Sequence, residues 1–234
     1  MTRDDRIVAY VATRQTWPVD ARLAEDRRTR GTAVFGLEGG AVDQLLRGLP
    51  DLPGPSVDPY LDAATRCLAR YGVERTTVQD VAAEMRCNRA TVYRQVGTME
   101  QQLRLIAARD IRRHLQHLQA RVAGLTGPAL VVELAALGVE DVRSHPIVAK
   151  ILADEPKLVG QILERHIANV RDQVVPVVGS LFEGAMDAGL LARLDPIVLA
   201  SWLVRIIVTL VVVEPETDLR EYLAEILIPA LTPG

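Results

Sequence analysis

The chain has 234 residues, 49% hydrophobic and 24% charged, with a formal net charge of −3. That length allows one large domain or two small ones, each with material for a core. Two cysteines, Cys67 and Cys87, do not make a disulfide framework and point to a reducing, cytoplasmic setting, and the opening MTRDDRIVAYVATRQ has no apolar stretch of a secretory signal.

Residues 1–56 read as an N-terminal extension, with 8 basic and 8 acidic side chains in balance. Gly and Pro punctuate it, and DLPGPS (51–56) reads as a linker because it cannot sustain a helix. Residues 41–49, AVDQLLRGL, suit one short amphipathic helix. Arg27, Arg28 and Arg30 cluster as solvated basic residues or as an arm.

From Val57 the pattern turns helical. Residues 57–121 carry 11 arginines against 7 acidic residues, and residues 122–234 carry 8 basic against 15 acidic. A basic segment joined to an acidic one suggests that only the first meets a polyanion. Asp58 is expected to cap a first helix, with Pro59 at its first position, Leu61, Ala64 and Leu68 on its apolar face and Gly72 at its end. Thr76 or Thr77 caps a second, whose Val78, Val81, Ala82 and Met85 fall on one face. After a short break at Arg86-Cys87, Asn88 caps a third, from Arg89 to about Gln95. Thr98 with Gln101 gives the capping box of a fourth, long helix.

Two short helices joined by a tight turn, the first apolar on one face and the second polar, make a helix-turn-helix. The second helix, RATVYRQ, carries side chains that match base edges and phosphates and would be poorly employed in a core. The stretch GVERTTVQDVAAEMRCNRATVYRQVGTMEQQL resembles the DNA-binding region of the TetR family of transcriptional regulators. Gly72, Thr76, Thr77, Val81, Ala82, Thr91, Val92, Tyr93, Glu100 and Leu103 match its pattern. The tail SWLVRIIVTLVVVEPETDLREYLAEILIPAL resembles the last two helices of actinobacterial members.

The resemblance implies an all-α, TetR-like fold. A helix-turn-helix DNA-binding domain is expected over 57–103, and a helical ligand-binding and dimerisation domain over 104–234. Matched by position and chemistry, Arg89, Thr91 and Arg94 are candidates for base edges, and Tyr93 matches the family's phosphate-contacting Tyr. Thr77 and Thr98 sit at helix starts, where Thr77 can hold a phosphate, and Asn88 can do either. Three positions depart from the family. Arg86 occupies a turn position that prefers Gly. Val96 replaces a larger packing residue, and Met99 replaces a Lys that commonly contacts phosphate.

The remainder is expected to be helical, with segments starting near Pro128, Pro146, Pro156, Pro196 and Asp218, a kink at Pro176 and no strand. The run from Ile197 to Val213 is apolar nearly all round and reads as a helix buried on more than one side, against its own core and a symmetry mate, rather than a membrane span. Arg205 lies within it. A buried Arg is normally paired, so a carboxylate such as Glu183 is its expected partner, with an acidic ligand as the alternative. His166, Phe182, Met186 and Trp202 are candidate liners of a lipophilic pocket, or ordinary core. His114 and His117 have metal-compatible spacing, but no third ligand completes a site. No cofactor, metal or enzymatic motif is expected.

The reading is a dimeric, ligand-responsive regulator on a palindromic duplex operator, a repressor released by a small lipophilic effector. The alternatives are a TetR-like activator without a small-molecule ligand, and a helical ligand-binding or enzymatic protein with a decayed DNA-binding segment.

Overall fold

A computed structural model describes residue 51 and residues 54–234, the side chains of residues 116, 119, 165–170 and 173 excepted. The expected helix at 41–49, the basic cluster at Arg27, Arg28 and Arg30 and the His166 side chain therefore lie outside the described residues. What is described is all-helical, with nine α-helices and no strand. A 3-10 turn, Pro55–Val57, leads into α1 (Asp58–Tyr71), α2 (Val78–Glu84), α3 (Arg89–Val96) and α4 (Met99–Arg121). Then follow α5 (Gly127–Ser144), α6 (Pro146–Asp154), α7 (Pro156–Asp187), α8 (Pro196–Val212) and α9 (Leu219–Leu231). None of these helices is long and apolar enough to cross a membrane.

Helix starts follow local side-chain chemistry. Thr77 accepts the Asp80 N–H while the Asp80 carboxylate accepts the Thr77 N–H, so α2 opens on a reciprocal capping box. Thr98 and Gln101 do the same for α4, and Asp195 and Asp218 cap α8 and α9. Each such cap is worth about 1 kcal/mol because it satisfies backbone donors that a helix start leaves unpaired. One expected cap is corrected. Val57, not Asp58, precedes α1, because the 3-10 turn carries the helical path one residue earlier. The Asp58 carboxylate instead reaches across to Arg113 of α4, at 3.2 Å.

Two stops share one design. At the end of α7, Gly189 at φ 71° closes a Schellman motif, with Leu190 N–H on Ala185 C=O and Gly189 N–H on Met186 C=O. At the end of α2 the same two bonds run from Cys87 to Ala82 and from Arg86 to Ala83, with Arg86 at φ 52°. A side chain in this left-handed region costs about 1–2 kcal/mol. Glycine removes that cost but loses more backbone freedom on folding. Replacing Arg86 by glycine is therefore expected to raise the unfolding free energy by roughly 0.5–1 kcal/mol. In urea the midpoint rises with an unchanged slope; a lower midpoint would mean that the Arg86 side chain itself holds the turn.

The helices build two cores. In the first, Leu61, Ala64 and Leu68 of α1, Val78, Val81 and Ala82 of α2, Val92 and Val96 of α3, and Met99, Leu103 and Ile106 of α4 pack together. Ile147, Ile151 and Leu158, from α6 and the start of α7, close that core. The boundary expected at 103/104 thus falls inside α4, and the first helical unit borrows part of its core from the second. The second core joins the end of α4 to α5, the C-terminal half of α7, α8 and α9. α7 runs unbroken through Pro176.

Polar bonds tie α4 to both sides. Arg109 of α4 is only 5% exposed; its Nη1 meets Asp62 of α1 at 2.7 Å and its Nε meets Asp110 at 3.0 Å. Asp110 in turn meets His145, between α5 and α6, at 2.9 Å. His114 meets Asp141 of α5 at 2.5 Å, and His117 lies against the Arg113 carbonyl. The two histidines therefore have separate partners on their own helix and on α5.

Candidate nucleic-acid interface

The third helix decides which side chains face outward. Val92 is fully buried and Val96 nearly so, and both point into the first core. With 3.6 residues per turn, the side opposite them carries Ala90 and Arg94. One flank carries Arg89 and Tyr93, and the other Thr91 and Gln95. Arg89, Ala90, Tyr93, Arg94 and Gln95 are exposed, and Thr91 is half-buried.

These side chains are not equally available. Asn88 Oδ1 accepts the Thr91 N–H at 2.8 Å and the Thr91 hydroxyl at 3.0 Å. Both residues are thereby occupied in capping the helix, which uses the Asn88 carboxamide oxygen and leaves its N–H groups as donors. Arg89 Nη2 donates to the Tyr93 hydroxyl at 2.9 Å, and its guanidinium lies 5.0 Å from the Tyr93 ring centroid. The two form one unit held by a hydrogen bond and a cation–π contact. Arg94 makes no hydrogen bond or ion pair with any described residue. Ala90 lies one turn before it on the same line. It carries no functional group, so the sequence alone does not single it out, but a methyl there can face a thymine methyl.

The helix starts beside α3 differ in charge. At α2 the Thr77 hydroxyl donates to Asp80 Oδ2 at 2.6 Å, so a carboxylate already sits at that N-terminus and opposes a phosphate. At α4 the partner of Thr98 is the neutral Gln101, and Glu100 is paired with Arg104 at 2.5 Å. The Thr98 end is thus the more favourable of the two for an anion. Gly97, at φ 74°, makes this junction possible: a Cβ there would stand 2.0 Å from the Gln101 carboxamide oxygen.

The three departures from the family pattern are accommodated by packing. Val96 and Met99 are 3% and 5% exposed and fill the first core. Met99 therefore faces inward at the start of α4, where a Lys would have to turn outward to meet a phosphate. Arg86 completes the turn between α2 and α3 in the left-handed conformation described above.

The candidate ligand residues of the second unit are dispersed. Phe182 and Met186 are buried within the second core. Trp202 is exposed on the outer face of α8. Arg205 is exposed too, which corrects the expected burial. Among the described residues it pairs with no carboxylate; its Nη1 donates to the Ser201 carbonyl at 2.8 Å and to the Ser201 hydroxyl. It borders a groove of about 470 Å³ between α7 and α8, lined by Leu163, Arg171, Val204, Arg205, Val208, Thr209, Val212 and Val213.

Comparison with known proteins bears on both units. Residues 61–106, from α1 into α4, match the family model for bacterial regulatory proteins of the tetR family. A helix-turn-helix-type transcriptional regulator of Mycobacterium tuberculosis is 25% identical over 187 residues, covering 76% of this chain and 87% of the relative. Among solved structures, Salmonella enterica GusR superposes with a TM-score of 0.54 at 19% identity, over 76% of this chain and 98% of that one. The fatty acid degradation regulator FadR of Bacillus halodurans superposes with a TM-score of 0.53 at 17% identity, over 77% of this chain and 97% of that one. These two likenesses establish the fold.

Proposed function

We propose, from the premise that this chain is a tetR-family DNA-binding regulator, that it acts in the cytoplasm as a homodimer on a palindromic duplex operator and represses until a small lipophilic effector releases it. The observation that carries the DNA-binding part is α3 itself. It is pinned from behind by Val92 and Val96, capped by Asn88, and crowned by Ala90 and Arg94, the latter with no hydrogen bond or ion pair to any described residue. In this reading Arg94 reads a base edge, the Arg89–Tyr93 unit and the Thr98 end of α4 hold phosphates, and Asn88 adds a donor.

The dimer reading rests on α8 and α9. Ile197, Val198 and Trp202 of α8 and Tyr222, Ile226 and Ile228 of α9 are all exposed, with Val198 at 65%. These side chains, on the last two helices, are the surface that this reading gives to a partner. A second copy related by a two-fold axis would cover it and would set two recognition helices for successive major grooves, about 34–36 Å apart. The packing of Val96 and Met99 speaks against the rival reading of a decayed DNA-binding segment, because the departures fill a core rather than loosen it.

Selection from random duplexes is the test. The full chain is expected to enrich a palindrome whose half-sites are about 10–10.5 base pairs apart or a multiple of that. Affinity for it should fall steeply with salt, with a log–log slope of about −0.9 for each phosphate neutralised. Repeating the selection with aliphatic compounds present should reduce the bound fraction. A pool that enriches nothing sinks the DNA-binding reading, and an enriched pool indifferent to every compound sinks the effector reading.

A further inference from the structure

We propose that the groove between α7 and α8 takes an amphipathic acid, an aliphatic chain ending in a carboxylate, with Arg205 holding the head. The inference rests on the effector reading above and names its ligand class. The groove walls are supplied by Leu163 of α7, by Val204, Val208 and Val212 of α8 and by Val213 just past its end, and its volume of about 470 Å³ suits a small ligand. None of the described lining residues is acidic. Of the two cations among the described lining residues, Arg171 is already paired, with Nε and Nη2 on Asp172 at 2.8 and 2.7 Å. Arg205 is the one whose charge no described carboxylate answers.

The chemistry of the head follows from how Arg205 is held. Nη1 is tied to Ser201, one turn earlier, which fixes the direction of the guanidinium, while Nε and Nη2 keep their donors. Thr209 spends its hydroxyl proton on the Arg205 carbonyl at 2.9 Å and adds no donor. An uncharged chain entering the groove gains the apolar contacts but takes water from an unpaired guanidinium, which is costly. A carboxylate at the chain end replaces that water with charge-assisted hydrogen bonds, which planar Arg can make in pairs. Charge and shape together therefore select the acid over the matching alcohol.

Titration calorimetry of the full chain with dodecanoate and with dodecanol, both below their aggregation limits, tests this. Wild type is expected to bind the acid at least 10-fold more tightly. Arg205→Met should bind the two alike, and Arg205→Lys should keep part of the preference. Equal affinities in wild type, no binding of either compound, or a preference that survives in Arg205→Met would each overturn the assignment. Sedimentation of Arg205→Met separates the other occupant: if dimer is lost and acid binding is unchanged, Arg205 serves a second copy and the assignment falls. Duplex selection without ligand, run in parallel, keeps the two readings apart. An operator enriched by a chain that ignores the acid defeats only this inference, and Arg205-dependent acid binding by a chain that enriches no operator defeats only the DNA-binding reading.

Discussion

Arg109→Ala is expected to cost about 3 kcal/mol of stability, the lower end for breaking a buried ion pair. Arg109 is 5% exposed and answers Asp62 at 2.7 Å, Asp110 at 3.0 Å and Asp58 at 3.7 Å. Asp58 and Asp62 reach water and lose little when the guanidinium goes. Asp110 is half-buried, so its charge is stranded with His145 alone. Burial pushes the Asp110 carboxyl up, but the His145 hydrogen bond and the Arg109 guanidinium more than offset it and hold the group below the ordinary carboxylate value. A depressed folded value means that this contribution is present above the unfolded pKa of about 3.9 and is lost as pH falls through the lower folded one. The gap between wild type and Arg109→Ala in urea should therefore be full near neutral pH and narrow below about pH 4. A gap that stays constant into acid would assign the loss to packing of the Arg stem instead. Asp110→Asn combined with Arg109→Met should recover part of the loss, because no uncompensated charge is left.

That joint also shows where sequence reading stops. The helices were legible because their ends are written in short-range chemistry: Thr77 with Asp80, Asn88 with Thr91, Thr98 with Gln101, and Pro146, Pro156 and Pro196 at first turns. The Asp58 cap was misplaced because a 3-10 turn before α1 leaves no local signature, and its carboxylate is drawn 55 residues away to Arg113. Pairings at such separations have no period to reveal them. The same holds for Ile147, Ile151 and Leu158, which read as part of the second unit and close the first core. In the candidate interface the residue types were legible and their availability was not. Arg89 and Arg94 look alike in RATVYRQ, yet one is bound to Tyr93 and the other is not. Arg205 sits in an apolar run that suggests burial, and only the packing of α8 against α7 and α5 turns its side chain outward.

The difference between those two arginines gives the sharpest expected result on DNA. Arg94→Ala should flatten preference at one position of each half-site by about 1–3 kcal/mol while leaving the others intact. Arg94 stands on the crown of α3, opposite Val92, and bonds to no described residue, so its fork can meet a guanine edge. Arg89 stands on the flank, stacked 5.0 Å over the Tyr93 ring and bonded to its hydroxyl. Leaving that arrangement for a base would give up both contacts, whereas a phosphate beside Tyr93 can be met with both kept. Arg89→Ala should therefore weaken every duplex about equally and reduce the salt slope by about 1. Tyr93→Phe removes the hydroxyl through which the pair is fixed, so its effect should overlap with that of Arg89→Ala and the double variant should lose less than the sum. Competition binding on the selected operator and its single-base variants, at two salt concentrations, reads all three. If Arg89→Ala relaxes one base position and Arg94→Ala weakens all sequences alike, the two roles are reversed and the stacked pair is not the form that meets DNA.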